Sequence, residues 1–240
     1  TNGTTLSGLQ LVVKEKTAPI ITITAPTASS TLTNNKPTIT WKVTDADSGV
    51  NPSTISIKID SGSVITSGIT KTAAGKGYTC SYVPTTALTD GSHTITVNAS
   101  DYDGNAATAK SVTFKVDTTP PTLSVSSPAA GLITNTAALT VSGTTNDATS
   151  SPVTVKITLN GANQGTVTVA SSGAFSKAVT LKEGSNTIVV TATDAVGKAS
   201  TITRTVTLDT SAPKITAATI TPNPADVDAT VLISVTITEE

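Results

Sequence analysis

One stretch recurs along this chain, and it sets the architecture. Residues 90–121 read DGSHTITVNASDYDGNAATAKSVTFKVDTTPP, and residues 183–213 read EGSNTIVVTATDAVGKASTITRTVTLDTSAP. Gly91 and Gly184, Asp101 and Asp194, and Gly104 and Gly197 share one offset of 93 residues. Each copy is a turn, a strand, an Asp/Gly turn, a second strand and a Pro-containing linker. Self-similarity at a fixed period identifies a structural module before any finer reading is made.

The linker occurs three times, as Thr17-Ala18-Pro19, Thr119-Pro120-Pro121 and Ser211-Ala212-Pro213. From Pro19 to Pro121 is 102 residues and from Pro121 to Pro213 is 92, close to the roughly 100 residues of a two-sheet antiparallel sandwich. Proline fixes φ, removes a donor and forces its predecessor into extended geometry, so the linkers are short and stiff. The expected organisation is an N-terminal strand (Leu9–Lys14) or tail of a preceding domain (1–16), a first module (17–117), a second (118–209) and a partial third of two strands (210–240).

Within each module short segments alternate with strict period two. Ile39, Trp41 and Val43 form one inward set, with Ile55, Ile57 and Ile59, then Ile95, Val97 and Ala99, then Val112, Phe114 and Val116. In the second module Val153, Val155, Ile157 and Leu159 are followed by Ile188, Val190 and Ala192. Turn signals separate them: Asp60-Ser61-Gly62, Asp90-Gly91 and the hairpin pair Asn160-Gly161. Thr makes up about a fifth of the chain and charged residues 13%. β-Branched side chains suit a half-buried pleated surface. The fold class is all-β, with tandem immunoglobulin-like β-sandwiches: two complete and a partial third.

Composition also excludes functions. A net charge of −1 gives no electrostatic footprint for nucleic acid, and no apolar run approaches the roughly 20 residues of a membrane-spanning helix. The single cysteine, Cys80, forms no intramolecular disulfide and reads as a small packed residue. The single histidine, His93, follows a turn and reads as a surface strand residue, with Asn186 at its place in the second module. No nucleophile motif, phosphate loop or Cys/His metal spacing accompanies it. The chain is not expected to be an enzyme.

Two loops pair acids beside glycine turns: Asp45-Ala46-Asp47-Ser48-Gly49 and Asp101-Tyr102-Asp103-Gly104-Asn105. Hard cations take six to eight oxygen ligands. Asp45, Asp47, Asp101 and Asp103, joined by the linker acid Asp117, are therefore the candidate calcium ligands, and calcium is the one candidate cofactor. The bland alternative is that Asp and Gly are ordinary turn residues. The second module keeps Asp194 and Asp209 but has Val196 where Asp103 stands. Tyr78, Tyr82 and Tyr102 are the candidate carbohydrate-stacking rings, against cross-strand filling of an outer face.

The phrases Leu88-Thr89-Asp90-Gly91-Ser92-His93-Thr94-Ile95 and Ala99-Ser100-Asp101-Tyr102-Asp103-Gly104-Asn105 resemble bacterial Ig-like domains. Gly173-Ala174-Phe175-Ser176, Gly184-Ser185-Asn186-Thr187-Ile188 and Ile220-Thr221-Pro222-Asn223-Pro224 extend the resemblance over most of residues 17–240. Trp41 lacks the flanking disulfide of antibody domains. The resemblance implies a spacer, adhesive or accessory module of an exported bacterial protein, extracellular or at the cell surface. Its partner would be a polysaccharide or protein ligand, with no nucleic acid and no membrane insertion. The alternatives are carbohydrate-binding accessory modules of a glycoside hydrolase, or a phage tail or capsid decoration protein on a virion.

Overall fold

The computed structural model describes residues 13–221, 223, 227–228 and 230–238. Residues 9–12 of the strand expected at 9–14, and most of the Pro222–Pro224 turn, lie outside them. The chain divides into two compact units: Thr1–Thr119 with Ala148–Ser151, and Pro120–Asp147 with Pro152–Glu240. Among the described residues no helix is long and apolar enough to cross a membrane.

The first unit contains β1 (Ile20–Ala25), β2 (Thr31–Leu32), β3 (Ile39–Thr44), β4 (Val50–Ile59), β5 (Thr70–Ala74), β6 (Gly77–Tyr82), β7 (Gly91–Asp101) and β8 (Lys110–Val116). They form two four-stranded sheets, β1-β3-β6-β5 and β2-β8-β7-β4. The opening segment changes sheets: β1 pairs antiparallel with β3, while β2 pairs parallel with β8 through Thr31↔Lys115 and Leu32↔Val116.

The second unit repeats the scheme with β9 (Thr122–Ser127), β10 (Leu132–Thr134), β11 (Ala138–Asn146), β12 (Thr154–Leu159), β13 (Ala162–Asn163), β14 (Ala174–Thr180), β15 (Gly184–Thr193) and β16 (Ala199–Leu208). Its sheets are β9-β11-β14 and β10-β16-β15-β12-β13, and β10 again pairs parallel with β16. A last hairpin, β17 (Lys214–Thr221) with β18 (Leu232–Thr238), has no buried residue.

The alternating patterns place the cores where period two dictates. Ile39, Trp41, Val43, Ile55, Ile57, Ile95, Val97, Phe114 and Val116 are fully buried in the first unit, and Val141, Ile157, Ile188, Val190 and Val206 in the second. Burying each such side chain stabilises by about 1.5–3 kcal/mol. Along β7 the buried stripe is longer than its apolar part: His93, Ile95, Val97, Ala99 and Asp101 all face inward. β15 and the residue that follows it repeat the stripe as Asn186, Ile188, Val190, Ala192 and Asp194. Each central strand therefore carries a polar residue at either end of its core stripe. His93 is thus not the surface residue expected from its place after a turn.

Strand direction fixes which polar end is which. Ile20 pairs with Thr44, so the chain enters the first unit beside the end of β3 and, across the core, the end of β7. β8 runs antiparallel to β7, with Gly91 opposite Val116. The chain therefore leaves at the other end, where Asp90 Oδ1 accepts the Thr118 amide at 2.8 Å and the Thr118 hydroxyl at 2.7 Å. In the second unit Thr122 pairs with Asn146 and Gly184 with Leu208. There Glu183 holds the exit, accepting the Thr210 amide at 3.1 Å and its hydroxyl at 2.7 Å.

Candidate functional site

Three carboxylates gather at the entry end of the first unit. One oxygen each from Glu15, Asp45 and Asp101 lies within 4.8 Å of the others. Asp45 follows β3 and folds its own loop, its Oδ1 accepting the amides of Asp47 at 3.0 Å and Gly49 at 2.7 Å. Its Oδ2 is buried and has no hydrogen-bond partner. Asp101 closes β7, accepting from the Asn105 amide at 2.8 Å and the Asn105 side-chain amide at 2.7 Å.

Glu15 is brought in by the upstream segment. Its amide donates to Asp103 Oδ2 at 3.0 Å, and its carboxylate accepts from Ser48 Oγ at 3.2 Å and Asn105 Nδ2 at 3.1 Å. Burial raises the Asp101 carboxyl. The hydrogen bonds from the Asn105 side chain, the shared bond to Glu15 and the amides of Asn105 and Gly104 outweigh that, and hold it at about 2. Lys14 and Lys76 reach the same end but donate to the backbone carbonyls of Asp103, Ala46 and Asp47. Neither forms an ion pair with the three carboxylates. The arrangement concentrates hard anionic oxygens of the kind that hold calcium.

Of the five expected ligands, the structure thus brings Asp45 and Asp101 together. Asp103 serves at the same end by holding the Glu15 backbone, and Asp47 is exposed in the Asp45 loop. Asp117 does not join them. It follows β8, which ends at the opposite pole, and accepts the Thr119 amide at 3.3 Å. The linker acid of this site is the one that precedes the unit, not the one that follows it. Glu15 was missed, yet its signal was present: Glu15, Asp117 and Asp209 each stand four residues before a linker proline, Pro19, Pro121 and Pro213. In the second unit Asp194 folds the equivalent turn, its Oδ1 accepting the amides of Val196 and Lys198, each at 2.9 Å.

The three tyrosines do not assemble. Tyr82 is buried in the core and Tyr78 packs against it, because their shared strand face is the inner one; Tyr102 is exposed. The hollow beside Tyr82, lined by Ile59, Ile65, Pro84 and Leu88 among others, is about 280 Å³, just below the roughly 300–1,000 Å³ of ligand pockets.

Residues 17–118 match the family model of the bacterial Ig-like domain, and residues 121–210 that of glucodextranase, domain B. No curated protein matches the chain. Sidekick-1 immunoglobulin domains 1–5 are similar at a TM-score of 0.52 and 14% identity, over 94% of this chain and 46% of that one. Domains 1–4 of the same protein give 0.51 and 13%, over 82% of this chain and 50% of that one. The fibronectin(III)-like modules of Clostridium thermocellum CbhA share 17% identity over 79% of this chain and 94% of theirs, at a TM-score of 0.38. At these identities the Sidekick-1 likeness is one of fold alone. Fold and family models agree: the chain is a tandem of Ig-like β-sandwich modules, of which the first, residues 17–118, matches the model of the bacterial Ig-like domain.

Proposed function

We infer that this chain is a non-catalytic spacer and adhesion region of an exported bacterial surface protein. The observation that carries this reading is the path of the chain through each module: it enters at one pole of the sandwich and leaves at the other, and at the exit an acid holds the linker. A module threaded end to end adds length between whatever it joins. Ig-like modules also occur as accessory domains of glycoside hydrolases, and a glycan array separates the two roles. The spacer reading expects no saturable glycan signal. A signal abolished by Tyr102→Ala would instead establish carbohydrate recognition.

The β17–β18 hairpin fits the same reading as the opening pair of a third module. Its cross-strand pairs Ile215/Ile237, Ala218/Val235 and Ile220/Ile233 make one face wholly apolar, while Lys214/Thr238, Ala217/Thr236 and Thr219/Ser234 line the other. β1–β3 and β9–β11 are the corresponding pairs of the two units, and each also carries a register shift.

A second reading concerns calcium at the Glu15–Asp45–Asp101 pole, favoured by the buried, unpartnered Oδ2 of Asp45 beside two further carboxylates. Bound there, the ion would tie the upstream segment to the sandwich. Calorimetric titration is expected to show calcium binding with Kd on the order of 10⁻⁴–10⁻³ M, the range of extracellular modules, and none in Asp45→Asn. Absence of both heat and a melting shift in the unaltered chain discards the site.

A further inference from the structure

The other pole of the first unit holds the only histidine of the chain. Nδ1 of His93 lies 2.8 Å from Asp60 Oδ2, and Nε2 lies 2.7 Å from the backbone carbonyl of Thr89. A carbonyl oxygen only accepts, and so does an ionised carboxylate, so each ring nitrogen must carry a proton for both bonds to form. The ring that satisfies this geometry is the imidazolium.

The second unit builds the same joint without charge. Asn160 stands where Asp60 does; both adopt positive φ, +51° and +52°. Thr94 donates its amide to Asp60 Oδ1 at 2.7 Å, and Thr187 donates its amide to Asn160 Oδ1 at 2.8 Å. Asn186 replaces His93: its Oδ1 accepts from Asn160 Nδ2 at 3.0 Å, and its Nδ2 donates to the carbonyl of Lys182 at 2.6 Å. That carbonyl lies four residues upstream of Asn186, as Thr89 lies four upstream of His93. Both partners have changed together, from an ion pair to an amide pair, with the wiring kept.

The joint also sits beneath the exit. Thr89, which His93 holds, is followed by Asp90, whose carboxylate takes the Thr118 amide and the Thr119 hydroxyl. We propose that His93 is a protonation latch: its imidazolium ties the Thr89–Asp90 loop and the Asp60 turn to β7, so that the first unit and its exit linker loosen when the ring loses its proton, while the second unit does not respond.

The groups around the ring are few. Asp60 faces it from the turn after β4, and Phe114 of β8 contributes an uncharged ring at a centroid distance of 6.0 Å. Asp90 is engaged with Thr118 and Thr119. Lys115 pairs with Ser92 on the opposite, outer face of β7–β8. Burial lowers the His93 pKa, but the Thr89 carbonyl and the hydrogen bond and charge of Asp60 raise it further, so the net direction is upward. A histidine raised on folding contributes stability that is fully present below the unfolded value, about 6.5. That contribution is lost as pH rises through the folded value.

A single histidine makes the test direct. Long-range ¹H–¹⁵N correlation on the unaltered chain is expected to show both ring nitrogens protonated, with a midpoint above 6.5. Hydrogen exchange, corrected for its intrinsic pH dependence, should show the Thr94 and Thr118 amides losing protection around the same midpoint. The loss should be up to about tenfold per pH unit, with no matching loss at Thr187 and Thr210. The double variant Asp60→Asn with His93→Asn, which copies the second unit, should flatten the response. A neutral tautomer throughout pH 5–8, or an equal response in both units, overturns the proposal.

Discussion

Trp41→Ala is expected to destabilise the first unit by about 3–5 kcal/mol, the range for deleting a large aromatic side chain from a core. Trp41 is fully buried among Ile39, Val43, Ile57 and Phe114, and its removal leaves a cavity that strands cannot close without breaking their ladders. A second substitution separates volume from polarity. The indole Nε1 is buried without a hydrogen-bond partner, and such an orphan costs about 1–3 kcal/mol. Trp41→Phe loses part of the volume but also removes that orphan, so its cost should be less than half that of alanine. The readout is built in. Burial pushes the Cys80 thiol up to about 11, only partly offset by Lys71, and the thiolate is the reactive form. Cys80 should therefore be labelled only as the first unit opens, and a urea series read by labelling gives that unit's stability alone. A cost below about 1 kcal/mol for alanine would contradict the packing described here.

The counterpart in the second unit is Gly173→Ala. Gly173 has φ of +82°, and a Cβ built on it would stand 2.0 Å from the Thr145 carbonyl oxygen. That oxygen is backbone and cannot swing away, because Thr145 belongs to β11 and donates its own amide to the Gly173 carbonyl at 2.9 Å. A left-handed backbone costs a non-glycine residue about 1–2 kcal/mol, and overpacking about 1–3 kcal/mol. The sum expected is about 2–5 kcal/mol, confined to the second unit. Hydrogen exchange resolves it: amides of β11 and β14 should lose protection while those of β3 and β6 keep theirs. Gly161→Ala is the control, since its φ is equally positive at +82° but nothing lies within 4 Å of the added carbon. It should cost only the conformational share. Equal effects at both glycines would show that the contact with Thr145 is not what matters.

The fold was legible because its signals are local. Period-two alternation, the Asn160-Gly161 turn and the linker prolines each act over a few residues, and Trp41, Phe114 and Phe175 are buried as the alternation requires. What escaped was pairing between distant segments. The alternation that turns Ile95, Val97 and Ala99 inward also turns His93 and Asp101 inward. A polar side chain at the end of a core stripe nevertheless reads as exposed until its partner is known, and Asp60 lies 33 residues away in sequence. Tyr82 departs in the opposite sense: it is expected with Tyr78 on an outer strand face, but the register Ile39↔Tyr82 places the ring on the inner face. Glu15 was out of reach for a third reason. Which linker acid approaches the Asp45 and Asp101 loops depends on strand direction, and composition carries no direction.

The parallel pairs β2–β8 and β10–β16 have a mechanical consequence. In each unit the chain arrives upstream of the first member of the pair and departs downstream of the second. Tension applied through the two linkers therefore slides parallel neighbours along each other rather than peeling them apart. The bonds Asp117 N–H to the Leu32 carbonyl and Lys115 N–H to the Ser30 carbonyl, each 2.8 Å, are then loaded together. Asp209 N–H to the Thr134 carbonyl, 2.9 Å, and Gly131 N–H to the Thr205 carbonyl, 3.0 Å, play the same part in the second unit. Rupture under load is governed by the rate of unfolding rather than by equilibrium stability. Two short strands that contribute little to the cores thus act as the clasps that decide how much pull each module withstands.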